Sequence, residues 1–510
     1  MSRHQSHVSE SAGSAAGRGQ HANPPESILS ALLVASVAAL ALQSAWPQPV
    51  EVAGVRIDRM TCLLGCMLSG VGLLTVRFAG RALAGDPARG RTCTLLAATV
   101  IAGWLAAVGD FLPLVIGAWI AQGVFLHRLL TIRHDRIEAA VPARIAFVVG
   151  RIGDVCLVCA AGIAWRDGGT TSISGLVASV GASGGHGGDG VAVLLAIAAI
   201  ARSVQFPFHS WLPDTMESPT PVSAVMHAGV VNAGGILLVR CMPVIGGSSL
   251  ACALLVLVGC ATMLMAMPAM WAQVKVKREL AWSTIAQMGF MTVQCGLLVT
   301  PAAMLHILGH GCYKAWAFLH SGQVPVPAGP PPRPARSALV LACGTACGAG
   351  AILVGASWAG LELLRSPGES AMAAALALGV GHAWVAIVGA GHPSRAGFAS
   401  RAAWCGAVLI AAGLGGPFAW AAMSRFIEPA IVAPPALAGA VGWGLAGMVM
   451  LSLVALSALH VALPVLDRHP RGFAFHVHAL NGFYLGTAWD RLVATSFASA
   501  SRRTDPHGHA

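Results

Sequence analysis

The chain has little charge for its length. Only 10% of its 510 residues are Asp, Glu, Lys or Arg, whereas a soluble domain carries about 25%. Lysine is nearly absent and occurs only at Lys275, Lys277 and Lys314. A soluble core of this size would need a charged shell, so a soluble protein is excluded. The net charge of +11 does not indicate nucleic-acid binding, because the arginines lie in short loops between apolar runs.

Long hydrophobic runs fill the chain instead, and 56% of its residues are hydrophobic. Each run approaches the roughly 20 residues that a helix needs to cross a bilayer. We therefore predict an all-α membrane protein with about 14 transmembrane helices, some of them discontinuous. The runs lie near residues 27–46, 60–78, 93–109, 111–130, 145–165, 190–206, 219–240, 249–270, 281–299, 301–320, 337–357, 371–390, 402–423 and 437–463.

Cationic residues favour the loops after even-numbered runs, which predicts a cytoplasmic location for these loops and for both termini. A bacterial inner membrane fits this pattern. The chain then divides into a disordered cytoplasmic tail (1–26), a transmembrane domain (27–463) and an amphipathic cytoplasmic tail (464–510). The 13 cysteines lie in apolar segments, so we expect small buried groups and no disulfide framework.

Residues 202–240 interrupt the apolar pattern with a proline-rich, charged turn. Pro219 and Pro221 predict a helix break, with Asp214 and Glu217 before it and His227 about two turns inside the following helix. Lipid tolerates a broken backbone only where protein or a water-filled cavity surrounds it. His227 is therefore a candidate proton relay; the alternative is a packing histidine bonded to a carbonyl.

A second group of ionisable residues is spaced by four in an apolar helix: His306, His310 and Lys314. This spacing places all three on one helix face. Charge at bilayer depth costs roughly 2.5–3.5 kcal/mol, so proton transfer is the functional interpretation and a helix held by polar contacts is the alternative. A metal site is incomplete, because two histidines lack a nearby carboxylate.

A third group contains Arg151, Asp154 and Arg202. An ion pair between Arg151 and Asp154 is the simplest interpretation of their i, i+3 spacing. Arg202 can hold an anion or bias a neighbouring group, but it cannot relay a proton as lysine can.

Together these motifs resemble the antiporter-like membrane subunits of respiratory complex I and the Mrp-type cation/proton antiporters. The resemblance covers roughly residues 95–325. Three departures stand out: Ile120, Arg202 and Lys275 occupy positions where the complex I relatives usually carry Glu, Lys and Asp. The matching positions are Gln205, Pro207, Trp211–Asp214, Glu217, Pro219–Ala224, His227, Ala228, Lys277, Arg278, Leu280–Thr284, Gln287–Gly289, His306, His310, Lys314 and Ala315.

Residues 206–211, 227–235, 287–291 and 478–484 are most similar to the membrane subunits of the DabA–DabB inorganic-carbon accumulation systems. This resemblance implies a DabA-type peripheral zinc subunit, similar to a β-carbonic anhydrase, as partner. Zinc is expected in that partner and no cofactor in this chain.

We therefore expect a proton- or sodium-conducting subunit that couples ion flow to hydration of carbon dioxide to bicarbonate by the partner. The expected path includes Asp154, Arg202, Asp214, Glu217, His227, His306, His310 and Lys314. The alternatives are a proton-translocating subunit of a complex I-like redox complex or a Mrp-type antiporter, and a purely structural anchor. No nucleophile, metal or cofactor site is complete, so catalysis by this chain alone is not predicted.

Overall fold

The computed structural model describes residues 24–132, 137–182, 189–323, 337–389, 398–430, 437, 439–466, 468–487 and 491. The predicted N-terminal tail (1–26) therefore lies outside the described residues, except that Pro24–Glu26 already belong to the first helix. Most of the C-terminal tail beyond residue 487 also lies outside them.

Almost every described segment is helical, as the apolar runs predict. A short antiparallel hairpin, β1 (Val50–Val52) and β2 (Val55–Ile57), is the addition that the sequence did not indicate. The helices are α1 (Pro24–Ala45), α2 (Arg59–Ala82), α3 (Arg89–Val108), α4 (Leu112–Leu130), α5 (Ile137–Gly168), α6 (Ile173–Ala182), α7 (Asp189–Arg202), α8 (Trp211–Asp214), α9 (Thr220–Val225), α10 (Ala233–Arg240), α11 (Met242–Gly246), α12 (Ser249–Trp271), α13 (Val276–Gly296), α14 (Thr300–Leu319), α15 (Ser337–Ala359), α16 (Pro367–Gly389), α17 (Phe398–Ile410), α18 (Gly416–Ile427), α19 (Gly439–Leu466) and α20 (Pro470–Leu480).

Eleven helical stretches within the described ranges are long and apolar enough to cross a membrane. The predicted multi-pass helical architecture is thus confirmed, whereas the count of 14 remains a prediction. Three of the 14 predicted apolar runs are not among these eleven stretches, but they form helices as well. Of these, α7 has only 14 residues, and α13 and α14 are long enough but less apolar.

The interrupted segment lies at the centre of the bundle. In the most apolar 18 residues of Thr220–Arg240, 94% of the positions are buried, whereas the corresponding share in the peripheral helix α1 is 17%. Helices α2, α3, α7, α13 and α14 pack around it. A segment enclosed by protein can keep an irregular backbone at membrane depth, because its polar groups do not face lipid.

The helix break has the predicted position. Pro219 is extended (φ −53°, ψ 142°), α9 begins at Thr220, and Pro221 occupies the first turn, where its missing N–H leaves no helical bond unmade. Between α7 and α9 the chain forms only the short helix α8 and a 3₁₀ turn (Thr215–Glu217). A five-residue π-helix, Met226–Val230, then separates α9 from α10. A second π-helix, Ala411–Gly415, separates α17 from α18.

The described part of the C-terminal tail packs against this chain's own helices. Gln273, just after α12, donates a hydrogen bond to the carbonyl of Leu480 (3.2 Å). Gly482, at φ +59°, lies so close to Trp282 on α13 that a Cβ atom would come within 2.6 Å of the indole ring. This part of the tail is therefore anchored to the bundle.

The cysteines only partly follow the expectation of burial. All 13 are free, and Cys62, Cys93, Cys241, Cys252, Cys260 and Cys295 are buried. The expectation is wrong for Cys159, Cys312, Cys343 and Cys347, which are exposed.

The close contact between Gly259 on α12 and Gly289 on α13 allows the packing of these two helices to be tested. A Cβ on Gly259 would lie 2.6 Å from the carbonyl oxygen of Gly289, and backbone cannot yield as a flexible side chain can. We expect Gly259→Ala to destabilise the protein by about 1–3 kcal/mol, seen as a lower midpoint of thermal unfolding in detergent. Gly162→Ala on α5, with nothing within 4 Å, is the matched control. Equal midpoints for the two variants would contradict this helix contact.

Candidate functional site

His227 lies in the π-helix and is completely buried. A π-turn widens the helix and is frequent at functional sites. The imidazole Nδ1 lies 3.0 Å from the hydroxyl oxygen of Thr284 on α13. Its ring stacks on Phe318 of α14, with the ring centroids 4.2 Å apart. The break thus places His227 between α13 and α14.

The hydrogen bonds of Thr284 define which ring nitrogen of His227 carries the proton. The Thr284 hydroxyl donates to the carbonyl oxygen of Leu280 at 2.9 Å, so its one proton is engaged. It can then only accept from His227, which assigns the proton to Nδ1 in the neutral ring. Nε2 is left as a buried acceptor with no protein partner in the described structure. This nitrogen is available to take up a proton.

Lys314 reaches the same carbonyl from the other side. Its ammonium group donates to the Leu280 oxygen at 3.0 Å and to the hydroxyl of Ser283. The residue is 1% exposed, although long charged side chains are almost never fully buried without partners. His227 and Lys314 are therefore connected through Thr284 and one backbone carbonyl.

His306 and His310 continue along the face of α14 that carries Lys314, as the spacing predicts. Their ring centroids lie 5.8 Å apart in an edge-to-face arrangement. His306 Nδ1 lies 2.8 Å from Gln294 Oε1, an acceptor, so His306 donates from Nδ1. Both nitrogens of His310 are buried without a protein partner in the part of the chain that is described.

Small residues allow α14 to approach the π-helix. A Cβ on Gly311 would lie 3.1 Å from the carbonyl of Ala228 and 2.9 Å from the sulfur of Met67. This close approach brings the row of His306, His310 and Lys314 against the helix that carries His227.

Arg151, Asp154 and Arg202 form a second cluster. Arg151 Nη2 lies 2.9 Å from Asp154 Oδ2, which is the predicted i, i+3 ion pair. Arg202 donates to the carbonyl of Trp119 and lies 4.8 Å above its ring. Its Nη2 also lies 3.4 Å from Gln122 Oε1. Val230 of the π-helix lines the cavity beside Arg202, and His227 of the same π-helix bonds to Thr284, so this segment contacts both clusters.

The acidic residues near the break lie apart from both clusters. Asp214 forms an ion pair with Arg278 at 3.4 Å, and the two side chains are 52% and 40% exposed. Partial burial raises the pKa of the Asp214 carboxyl, and the Arg278 guanidinium opposes that rise. The side chain of Glu217 lies outside the described structure. The predicted path residues are therefore brought together in two buried groups plus a solvated ion pair, and their use as one path stays a prediction.

Several polar residues hold the protonatable groups, although no such role was predicted for them from the sequence. On α13 these are Ser283, Thr284 and Gln294, which hold Lys314, His227 and His306. The low hydropathy of α13 was the feature of the sequence that could have indicated these residues.

Two further pairs lie elsewhere in the bundle. Asp110 and Arg240 form a buried pair at 3.8 Å. His382 and His460 stack with their centroids 5.2 Å apart. No local motif indicates either pair, because each joins residues more than 70 positions apart.

Comparison with known proteins agrees with this architecture. Residues 109–328 match the family described as NADH:quinone oxidoreductase/Mrp antiporter, transmembrane. The "Probable inorganic carbon transporter subunit DabB2" of Halothiobacillus neapolitanus is 37% identical over 277 residues, which cover 53% of this chain and 49% of that protein. The NADH-quinone oxidoreductase subunit L of Mycobacterium tuberculosis is 35% identical over 276 residues, covering 53% and 43%. The chain spans about half the length of the curated relatives it matches.

Two solved structures share the fold over most of this chain. One is a chain of the Mrp complex from Dietzia sp. DQ12-45-1b (TM-score 0.63, 23% identity), covering 95% of this chain and 57% of that one. The other belongs to an archaeal membrane-bound sulfane sulfur reductase (TM-score 0.55, 17% identity), covering 94% and 95%. The match over residues 109–328 and the shared fold confirm the resemblance predicted from the motifs: residues 109–328 are similar to the transmembrane region of the NADH:quinone oxidoreductase/Mrp antiporter family, in a chain with the multi-pass helical fold of these proteins.

Proposed function

We propose that this chain is the proton- or sodium-conducting membrane subunit of an energy-coupled system that accumulates inorganic carbon. The observation that carries the proposal is the connection between His227 and Lys314 through Thr284 and the Leu280 carbonyl. Two connected protonatable groups, one in the buried interrupted segment and one on α14, are costly to keep in an apolar environment. Such groups at membrane depth ordinarily mark ion or proton paths.

The hydrogen bonds support a defined proton step at His227. A proton enters at the unpartnered Nε2 and makes the ring cationic, while Nδ1 remains bonded to Thr284. The ring then lies close to the Lys314 ammonium across one carbonyl, and two like charges there repel. Release of a proton from either group relieves this repulsion. Protonation at one end of the connection therefore favours proton loss at the other.

His306 and His310 extend the row from Lys314 along α14. His310 offers two unpartnered ring nitrogens, so it can accept and donate through bridging water. We propose that the protons pass along this row, with Asp154, Arg202, Asp214 and Glu217 setting the electrostatic field or the entrance.

The energy available from such flow is sufficient to accumulate a solute. One charge falling through about 150 mV releases about 3.4 kcal/mol. That free energy sustains roughly a 300-fold concentration ratio.

The carbon-accumulating role comes from the relatives and the motifs. The similar proteins include several named as DabB inorganic carbon transporter subunits. By analogy, a DabA-type peripheral subunit would hold zinc and hydrate carbon dioxide to bicarbonate, driven by ion flow through this chain. We place the protein in the bacterial inner membrane with both termini cytoplasmic, because the cationic loops alternate in that sense.

The second candidate is a subunit of a complex I-like redox complex or of a Mrp-type cation/proton antiporter. The similarity to NADH-quinone oxidoreductase subunit L favours it. Isolation of the protein from its native membrane separates the two roles. A co-purifying large zinc protein supports the carbon system, and co-purifying flavin and iron–sulfur proteins support the redox complex.

Removing either end of the connection tests the proposed function. We expect His227→Gln and Lys314→Met to lower the uptake of inorganic carbon about a hundredfold, the low end of what a positioned proton-transfer group contributes to a reaction. Uptake of labelled inorganic carbon by intact cells measures this effect, at equal amounts of protein in the membrane. His320→Gln, at an exposed position at the end of α14, is the control. Full uptake in both variants would mean that the chain is only an anchor for its partner.

Thr284 gives a finer test of positioning. Thr284→Val removes the hydroxyl that bridges His227 to the Leu280 carbonyl, whereas Thr284→Ser retains it. We expect the valine variant to reduce uptake at least tenfold and the serine variant to restore most of it. Equal uptake by these two variants would show that the bridge has no part in ion flow.

A further inference from the structure

A polar cavity of about 90 Å³ lies where β2, α6 and the end of α10 meet, and we call it the hairpin cavity. One water needs about 10–15 Å³ by this measure, so the space holds several. The hydroxyl of Thr300 lines it and is buried without a protein partner among the described residues. Arg56, with a side chain that is 22% exposed, and the exposed Ala178 also line it. The hairpin cavity is therefore polar enough for water and adjoins the protein surface.

A second, narrower cavity lies deeper in the bundle, and we call it the inner cavity. Its volume is about 10 Å³, at the lower limit for a single water. Arg240, Trp119, Gln122 and Gly229 are among the residues that line it. The Trp119 carbonyl and the Gln122 side chain also hold Arg202, and Gly229 belongs to the π-helix. The inner cavity thus extends from Arg240 toward the Arg202 cluster and the interrupted helix.

Arg240, the last residue of α10, lines both cavities. Its side chain is 3% exposed. Nη1 donates to the carbonyl oxygen of Ala106 at 3.2 Å, and Nη2 lies 3.8 Å from Asp110 Oδ1, beyond hydrogen-bonding distance. Asp110 is fixed in turn by the backbone N–H of Ser174 on α6 at 3.0 Å. Arg240 therefore forms part of the wall that the hairpin cavity shares with the inner cavity.

The charges around this wall favour cations on one side of it only. In the hairpin cavity, Asp58 pairs with Arg56 at 2.8 Å, and Asp110 faces Arg240. The inner cavity is lined by Arg240 and by no carboxylate. Arginine is effectively always protonated, and repulsion between like charges is stronger in a buried site than in water. An arginine in a narrow passage excludes protons and other cations for this reason.

We propose that Arg240 is an electrostatic barrier that prevents protons and other cations in the hairpin cavity from entering the inner cavity. Cations that passed it would reach the π-helix and the Arg202 cluster without crossing the connection between His227 and Lys314. The barrier would therefore close an uncoupled route through the bundle. That it protects energy coupling rests on the proposed function. The barrier itself rests on the two cavities and on the charge between them.

Passive proton leak through the purified full-length protein in liposomes tests this proposal. A potassium gradient with valinomycin sets the membrane potential, and a trapped pH-sensitive dye reports proton entry without any partner or carbon substrate. We expect Arg240→Gln to leak protons about tenfold faster than the unaltered protein, because the repelling charge is gone. Arg240→Lys keeps the charge and should stay tight. Arg425→Gln is the matched control: Arg425 also donates to a carbonyl, that of Ala359 at 3.2 Å, but lines neither cavity.

Arg240→Gln leaves the Asp110 carboxylate buried without its partner, which can prevent folding. Arg240→Gln combined with Asp110→Asn removes both charges and keeps the test decisive if the single variant does not accumulate; it should leak as well.

A tight membrane with the accumulating glutamine variant would overturn the barrier, and so would an equal leak in Arg240→Lys or Arg425→Gln. The proposed function fails separately. Full carbon uptake in His227→Gln and Lys314→Met, together with a leaky Arg240→Gln, would contradict that function and leave the barrier standing.

Discussion

The carbonyl oxygen of Leu280 is the point on which the buried charge of this bundle depends. It accepts from the Lys314 ammonium and from the Thr284 hydroxyl, and Thr284 in turn accepts from His227. An ammonium group that is 1% exposed needs such acceptors, because desolvation otherwise costs several kcal/mol. The same bonds fix the orientation of the imidazole and leave Nε2 open. One set of contacts thus stabilises the buried charge and leaves one imidazole nitrogen without a partner in the described structure.

The irregular backbone serves this arrangement. The break at Pro219 and the π-helix at Met226–Val230 rotate His227 out of the register of a continuous helix and toward α13. Gly311 allows α14 to approach that segment closely enough for Phe318 to stack on the imidazole. On α4, Gly123 lets the guanidinium groups of Arg202 and Arg151 pack close to the backbone, where a Cβ would lie 2.8 and 3.0 Å from them. Glycine and proline therefore position charges here that an ideal helix bundle would keep apart.

Much of this could be predicted from the sequence. Low charge and repeated apolar runs indicate a multi-pass helical bundle, and Pro219 and Pro221 mark the break because proline acts locally on the backbone. The spacing of His306, His310 and Lys314 places them on one helix face, since helical periodicity is also local.

The hydrogen-bond partners of the buried histidines and of Lys314 could not be predicted from local spacing. Thr284 and Gln294 are ordinary residues whose importance comes only from which helices lie side by side. The π-helix has no residue signature, and the contact of Arg202 with the Trp119 carbonyl joins positions 83 apart.

The protonation of His227 tests the central claim most directly. Solid-state NMR of the protein in bilayers, with all 19 histidines labelled with ¹⁵N, reports which ring nitrogens carry protons. Subtracting the spectrum of His227→Gln isolates the signals of this residue. The account predicts a neutral ring that is protonated at Nδ1. In Thr284→Val, the hydrogen bond from this Nδ1–H to the Thr284 hydroxyl should be absent. A neutral ring protonated at Nε2, with Nδ1 bare, would contradict it.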